Sequence, residues 1–249
     1  MKGLSVIDYF TGDGGYHDAI SLQDAPELSW EKAKEKTPNL PKGWWELSKL
    51  DPGVKLEFIR DYWFNALPYQ PHVYHFLDTF FAGVLEVGVF LAQKRENSPY
   101  EAFFTYRLKD RLYLGRPPLL EKEIERFKRS ISYPLPDDFL NFFRIHNGFA
   151  KGGDSGIFSS GALEEERKWF MQAQEGFFLG EKSVDPELLL PFYRSFGLDI
   201  YQCFYKDWYP DGEVGNVLCS LSDRAISSWK EDETLAFPTF LDWLVFYLE

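Results

Sequence analysis

Residues 134–148, P-L-P-D-D-F-L-N-F-F-R-I-H-N-G, constrain the fold more than any other stretch of this chain. Pro136 fixes φ and suits the first turn of a helix. Asp137 and Asp138 put negative charge at the positive end of that helix. Phe139, Phe142, Phe143 and His146 recur at i, i+3, i+4 and i+7, so they share one apolar face. Asn147-Gly148 stops the helix, because Gly enters the left-handed region without steric cost. The spacing predicts a helix of about three turns with both ends specified and one face that has to be buried.

The chain has rings enough to bury that face. Aromatic residues make up 18% of its 249 positions, with 24 Phe, 14 Tyr and 8 Trp. Each large ring buries much area, so most are expected inside. Ahead of the helix, residues 54–63 carry Leu56, Ile59 and Trp63 at helical spacing, and residues 71–81 carry Tyr74, Leu77 and Phe81. Residues 84–93 and 100–108 are β-rich runs joined by K-R-E-N-S-P, which predicts a hairpin; 111–114 add a short strand. Residues 30–36 form a short helix, and 40–45 form a loop anchored by Trp44 and Trp45. The first 37 residues show little pattern beyond a turn at Gly12, Gly14 and Gly15. The run G-R-P-P at 115–118 breaks structure and is the natural boundary. Residues 1–116 are therefore expected to form a small α+β unit.

After the boundary, residues 121–131 predict a helix with Ile124, Phe127 and Ile131 facing one way. Then come Leu135-Pro136 through Asn147-Gly148, a strand at 156–158, and Leu190-Pro191-Phe192 leading to Gly197 and Tyr201. Strands at 214–222 and 224–229, the second ending on Trp229, precede F-P-T-F-L-D-W-L-V-F-Y-L at 237–248. In this order the C-terminal half resembles the SUKH superfamily, the Smi/Knr-type cell-wall-synthesis regulators and bacterial toxin-immunity proteins. The resemblance implies a domain over 119–249 built as an antiparallel sheet with helices packed to one side, and an α+β chain overall. It also implies a non-enzymatic protein-binding role, either neutralising a toxin by occlusion or serving as a regulatory scaffold.

The net charge of −12 narrows the partners. It repels phosphates, which argues against nucleic acid, and anionic membrane surfaces. It suits a basic protein such as a toxin, whose approach the field would speed. No run approaches the ~18 apolar residues of a membrane span. The N-terminal apolar run is short and interrupted by Asp8, unlike a signal peptide. A cytoplasmic protein is expected, with Cys203 and Cys219 on neighbouring strands as small buried thiols rather than a disulfide.

Candidate chemistry is sparse. His72, His75 and Asp78 share a helix but lack further metal ligands. They are the place to look if the chain is an enzyme after all. G-F-A-K-G-G-D-S at 148–155 puts Asp154 where a phosphate loop needs lysine, so it predicts a flexible turn. His146 belongs to the apolar face and is expected to be structural. No nucleophile elbow occurs, and no cofactor or metal is expected. The acids Asp137, Asp138, Asp154, Glu164, Glu165 and Glu166 lie in polar contexts and are expected to be solvated. They form the expected partner-binding face, with Trp208 and Tyr209 as turn aromatics. An assembly protein using its aromatic surface is the remaining alternative.

Overall fold

The hairpin at the centre of the N-terminal half follows from its two β-rich runs and the turn between them. In the computed structural model, which describes residues 5–172, 176–210, 212–227 and 235–249, both faces of this hairpin are buried. The chain enters through helix α1 (Val6–Thr11), strand β1 (Asp18–Ser21) and helices α2 (Trp30–Lys36), α3 (Lys42–Ser48), α4 (Pro52–Ala66) and α5 (Pro71–Gly83). Strands β2 (Glu86–Gln93), β3 (Tyr100–Arg107) and β4 (Leu112–Gly115) follow. Val87, Val89 and Leu91 of β2 face the helices α3 to α5, whereas Phe90 and Ala92 join Phe10 and Tyr9 of α1 on the other face. That two-sided burial is why β2 reads as a near-continuous apolar run.

The second half begins with α6 (Glu121–Ser130) and α7 (Asp137–Phe142). It continues through β5 (Phe149–Lys151), β6 (Gly156–Ile157), α8 (Ser160–Phe170), β7 (Phe177–Leu179) and β8 (Lys182–Val184). A 3-10 turn (Pro186–Leu188) leads to β9 (Leu189–Arg194), β10 (Ile200–Tyr205), β11 (Asn216–Ser220), β12 (Ala225–Ile226), β13 (Ala236–Phe237) and closing helix α9 (Phe240–Leu248). The strands form one sheet in the order β1-β2-β3-β4-β5-β6-β9-β10-β11-β12-β7-β8, with β13 also on β11. Its pairings are antiparallel except β12 with β7. The α+β class with a mostly antiparallel sheet is thus observed. No helix among the described residues is long and apolar enough to cross a membrane.

The expected boundary at 115–118 lies between two paired strands. Gly115 of β4 pairs with Phe149 of β5, and one core holds Trp63 and Tyr106 together with Phe142 and Phe149.

Several local expectations are corrected. Residues 42–48 are helical rather than a loop: Pro41 caps α3 with φ of −66°, and burial of Trp44 outweighs the helix cost of Gly43. Helix α7 is only six residues long; tighter turns then carry the chain to His146, still with Phe139, Phe142, Phe143 and His146 buried. The left-handed Gly148, at φ +103°, ends this segment as expected. On α5 the buried face is Val73, Leu77, Phe80 and Phe81, while Tyr74 turns its hydroxyl to the carbonyls of Phe64 and Leu67. Cys203 and Cys219 are buried free thiols on adjacent strands. The strand expected at 224–229 is seen at Ala225–Ile226; its expected end, Trp229, lies outside the described residues.

Candidate functional site

The acids singled out by charge fall into separate settings. Asp137 is exposed near Lys128, 3.9 Å away. Asp138, beside it, is only 4% exposed, which corrects the solvated expectation. Its carboxylate accepts from the N–H of Phe139 at 2.7 Å and of Leu241 at 3.0 Å. It therefore tethers α7 to the start of α9, where the first N–H groups have no partner within the helix. Burial pushes its pKa up to about 7, against those backbone donors, with Glu213 adding to the rise. A residue so enclosed cannot meet a partner.

Asp154 is half-buried and holds a knot of its own. It accepts from Tyr193 Oη at 2.9 Å, Tyr247 Oη at 3.3 Å, and the N–H groups of Ser155 and Phe196. Glu164, on α8, accepts from the Ser130 hydroxyl of α6; Glu165 is exposed and Glu166 half-buried. Trp208 folds back over Gly215, whose N–H donates to the Trp208 carbonyl at 2.9 Å. A Cβ at Gly215 would lie 2.4 Å from the Trp208 ring. Tyr209 is half-exposed.

His72 and His146 are each held by other side chains. His72 pairs with Asp242 at 2.7 Å across α5 and α9, and Asp78 pairs with Arg60 at 2.8 Å. Among the described residues no group of His, Cys, Asp and Glu could hold a metal ion. His146 is fully buried between Trp44, Trp63, Phe104 and Phe149. Trp63 Nε1 donates to Tyr106 Oη at 2.9 Å, and Tyr106 Oη lies 2.7 Å from His146 Nε2. Indole nitrogen only donates, so the Tyr106 hydroxyl proton goes to Nε2. The ring proton then sits on Nδ1 and reaches the Arg116 carbonyl at 3.2 Å. Burial lowers the His146 pKa to about 3, so the ring is neutral. This relay locks N-terminal helices to the signature segment, and it has no opening to solvent through which a substrate proton could pass.

An apolar groove of about 460 Å3 between α3 and α4 faces outward. Trp44 and Ile59 lie at its base, Leu47 and Leu50 on one side, and Phe58 and Tyr62 on the other, with Pro118, between β4 and α6, at its end. Phe58 is 59% exposed and Tyr62 47% exposed, one turn apart on the same wall of the groove. The Tyr62 hydroxyl donates to the Arg144 carbonyl at 2.7 Å, joining the groove to the turn after α7. The sequence held a signal for it: Val54, Phe58 and Tyr62 stand at i, i+4 and i+8. That is a second apolar stripe on α4 beside the buried one of Ile59 and Trp63. Reading only the core stripe hides it.

A family model described as SMI1 / KNR4 family (SUKH-1) matches residues 118–245, slightly more than half of the chain. The chain belongs to this family. No curated protein and no solved structure matches it.

Proposed function

We propose that this chain is a non-enzymatic protein-binding module of the immunity type, acting in the cytoplasm by covering the working face of a basic partner protein. Family membership supports an interaction role. The observation that carries the reading is the aromatic groove of Phe58, Tyr62 and Leu50, left open on a strongly acidic chain. Apolar anchors in a concave patch supply affinity, and the surrounding charge supplies approach rate and selectivity. The exposed acids Asp137 and Glu165, with Tyr209, contribute to the field and the rim rather than to the anchor. A regulatory scaffold of cell-wall synthesis would use the same binding face.

The test is a pull-down from native lysate with the tagged full chain at low and at physiological salt, read by mass spectrometry. One stoichiometric basic protein, retained less as salt rises, is the expected result. Absence of any stoichiometric protein at either salt would overturn the reading.

A further inference from the structure

We propose that the α3–α4 groove receives a basic amphipathic helix presented by the partner; this rests on the binding-module reading above and gives that reading its partner chemistry. The length fits first. Phe58 and Tyr62 wall the groove and the exposed Val54 continues their stripe one turn further, so from Val54 to Tyr62 it spans eight residue steps, roughly 12 Å of helix. That is about two turns of an incoming helix, whose apolar residues at i, i+3 or i+4, and i+7 would lie along it. Trp44 and Ile59 make the floor apolar, so those anchors leave water as they seat.

The charge decides the sign of the partner. Every cation of the two helices and their connection is paired, hydrogen-bonded or buried, the Lys42–Glu46 pair standing at the groove itself. Lys42 pairs with Glu46 at 3.6 Å, and Arg60 with Asp78 at 2.8 Å. Lys49 donates to the Leu22 and Ala25 carbonyls, and Lys55 is buried. At the Tyr62 end, Arg144 is held by Glu121 at 2.6 and 3.1 Å. Asp51, Glu57 and Asp61 remain, all exposed, and among the described residues none has an ion-pair partner. On the helical wheel Asp61 flanks Phe58 on the side away from the buried Ile59, and Asp51 directly follows Leu50 of the lining, whereas Glu57 turns toward α5 beside Arg60 and Asp78. Lysine or arginine on the flanks of an incoming helix would meet Asp51 and Asp61, whereas an acidic helix would be repelled. The same two acids disfavour a second copy of this chain, because two such grooves face to face would oppose like charges.

Phe58 is exposed, so replacing it leaves the core intact, and a thermal melt checks that. The experiment displays a library of randomised peptides about 16 residues long, roughly 24 Å as helices, against the full chain. Binders are expected to be enriched in Lys and Arg, with apolar residues at i, i+3 or i+4, and i+7. Phe58→Asp is expected to weaken them by about tenfold or more, and Asp51→Lys with Asp61→Lys to weaken them and flatten their salt dependence. Leu198→Asp, on the exposed turn between β9 and β10, is expected to leave them unchanged. Failure to enrich binders, enrichment of acidic or non-helical peptides, or undiminished binding to Phe58→Asp would each overturn the inference. The lysate pull-down separates the two failures. A partner captured equally by wild type and Phe58→Asp sinks the groove and leaves the binding reading standing; no partner for the wild type sinks the reading itself.

Discussion

Replacing Tyr106 by Phe removes one oxygen and strands two buried groups. Trp63, Tyr106 and His146 are all fully buried. The Tyr106 hydroxyl accepts from Trp63 Nε1 at 2.9 Å and donates to His146 Nε2 at 2.7 Å. Without it, an indole N–H and an imidazole nitrogen lose their only partners in the relay, and the ring packing around them admits no replacement. Each stranded group costs about 1–3 kcal/mol, so the variant should lose about 2–6 kcal/mol. Against a total of roughly 5–15 kcal/mol this is a large fraction. In urea unfolding the midpoint should fall with the slope unchanged, and the melting temperature should drop by roughly 10 °C. Tyr62→Phe is the control: its hydroxyl also donates one bond, to the Arg144 carbonyl, but in an exposed setting, and should cost less than about 1 kcal/mol. In a Trp63→Phe background one stranded group is gone, so Tyr106→Phe should cost about 1–3 kcal/mol less. A Tyr106→Phe penalty no larger than that of Tyr62→Phe, or additivity with Trp63→Phe, would refute the relay.

Other consequences follow from the same contacts. A Cβ at Gly115 would stand 2.2 Å from His146 Nδ1, so Gly115→Ala should cost about 3 kcal/mol or leave the chain unfolded by circular dichroism; Gly161→Ala, in open space on α8, should instead stabilise by up to about 1 kcal/mol. The pH profile carries two opposed terms. His146 falls from 6.5 to about 3 on folding, so its contribution is complete above pH 6.5 and about 5 kcal/mol is lost as pH falls to 3. Asp138 rises from 3.8 to about 7, so its contribution is complete below pH 3.8 and about 4 kcal/mol is lost as pH rises through 7. Between pH 6.5 and 4 the two offset each other. Asp138→Asn removes one of them, and the variant should lose about 3 kcal/mol relative to wild type over that window in denaturant titrations. Parallel profiles for the two proteins would show that Asp138 does not titrate as its burial requires.

Much of the architecture was legible because local pattern and global fold agree. The spacing of Ile59 and Trp63 and the L-P…N-G signature with its closing helix carry their burial in their period, and the β-rich runs in 84–108 carry theirs in composition. What was missed has physical causes. Trp44 and Trp45 follow Pro41 and Gly43, a pair that reads as a turn until Trp44 finds its place beside His146. Strand β1 shows little pattern because it is held largely by backbone pairing with β2 at the sheet edge. Charge pattern alone could not separate Asp137 from Asp138, since burial of the second depends on α9, more than a hundred residues later. The groove escaped because exposed apolar residues on a helix look, in sequence, like more core.

The account turns on where the partner sits. Hydrogen exchange on the full chain, alone and in the complex captured from lysate, measures that directly. Added protection concentrated in residues 41–62 and around Pro118 is the predicted result. Protection confined to the turn at 195–199 or the segment at 206–210, with 41–62 unchanged, would contradict it.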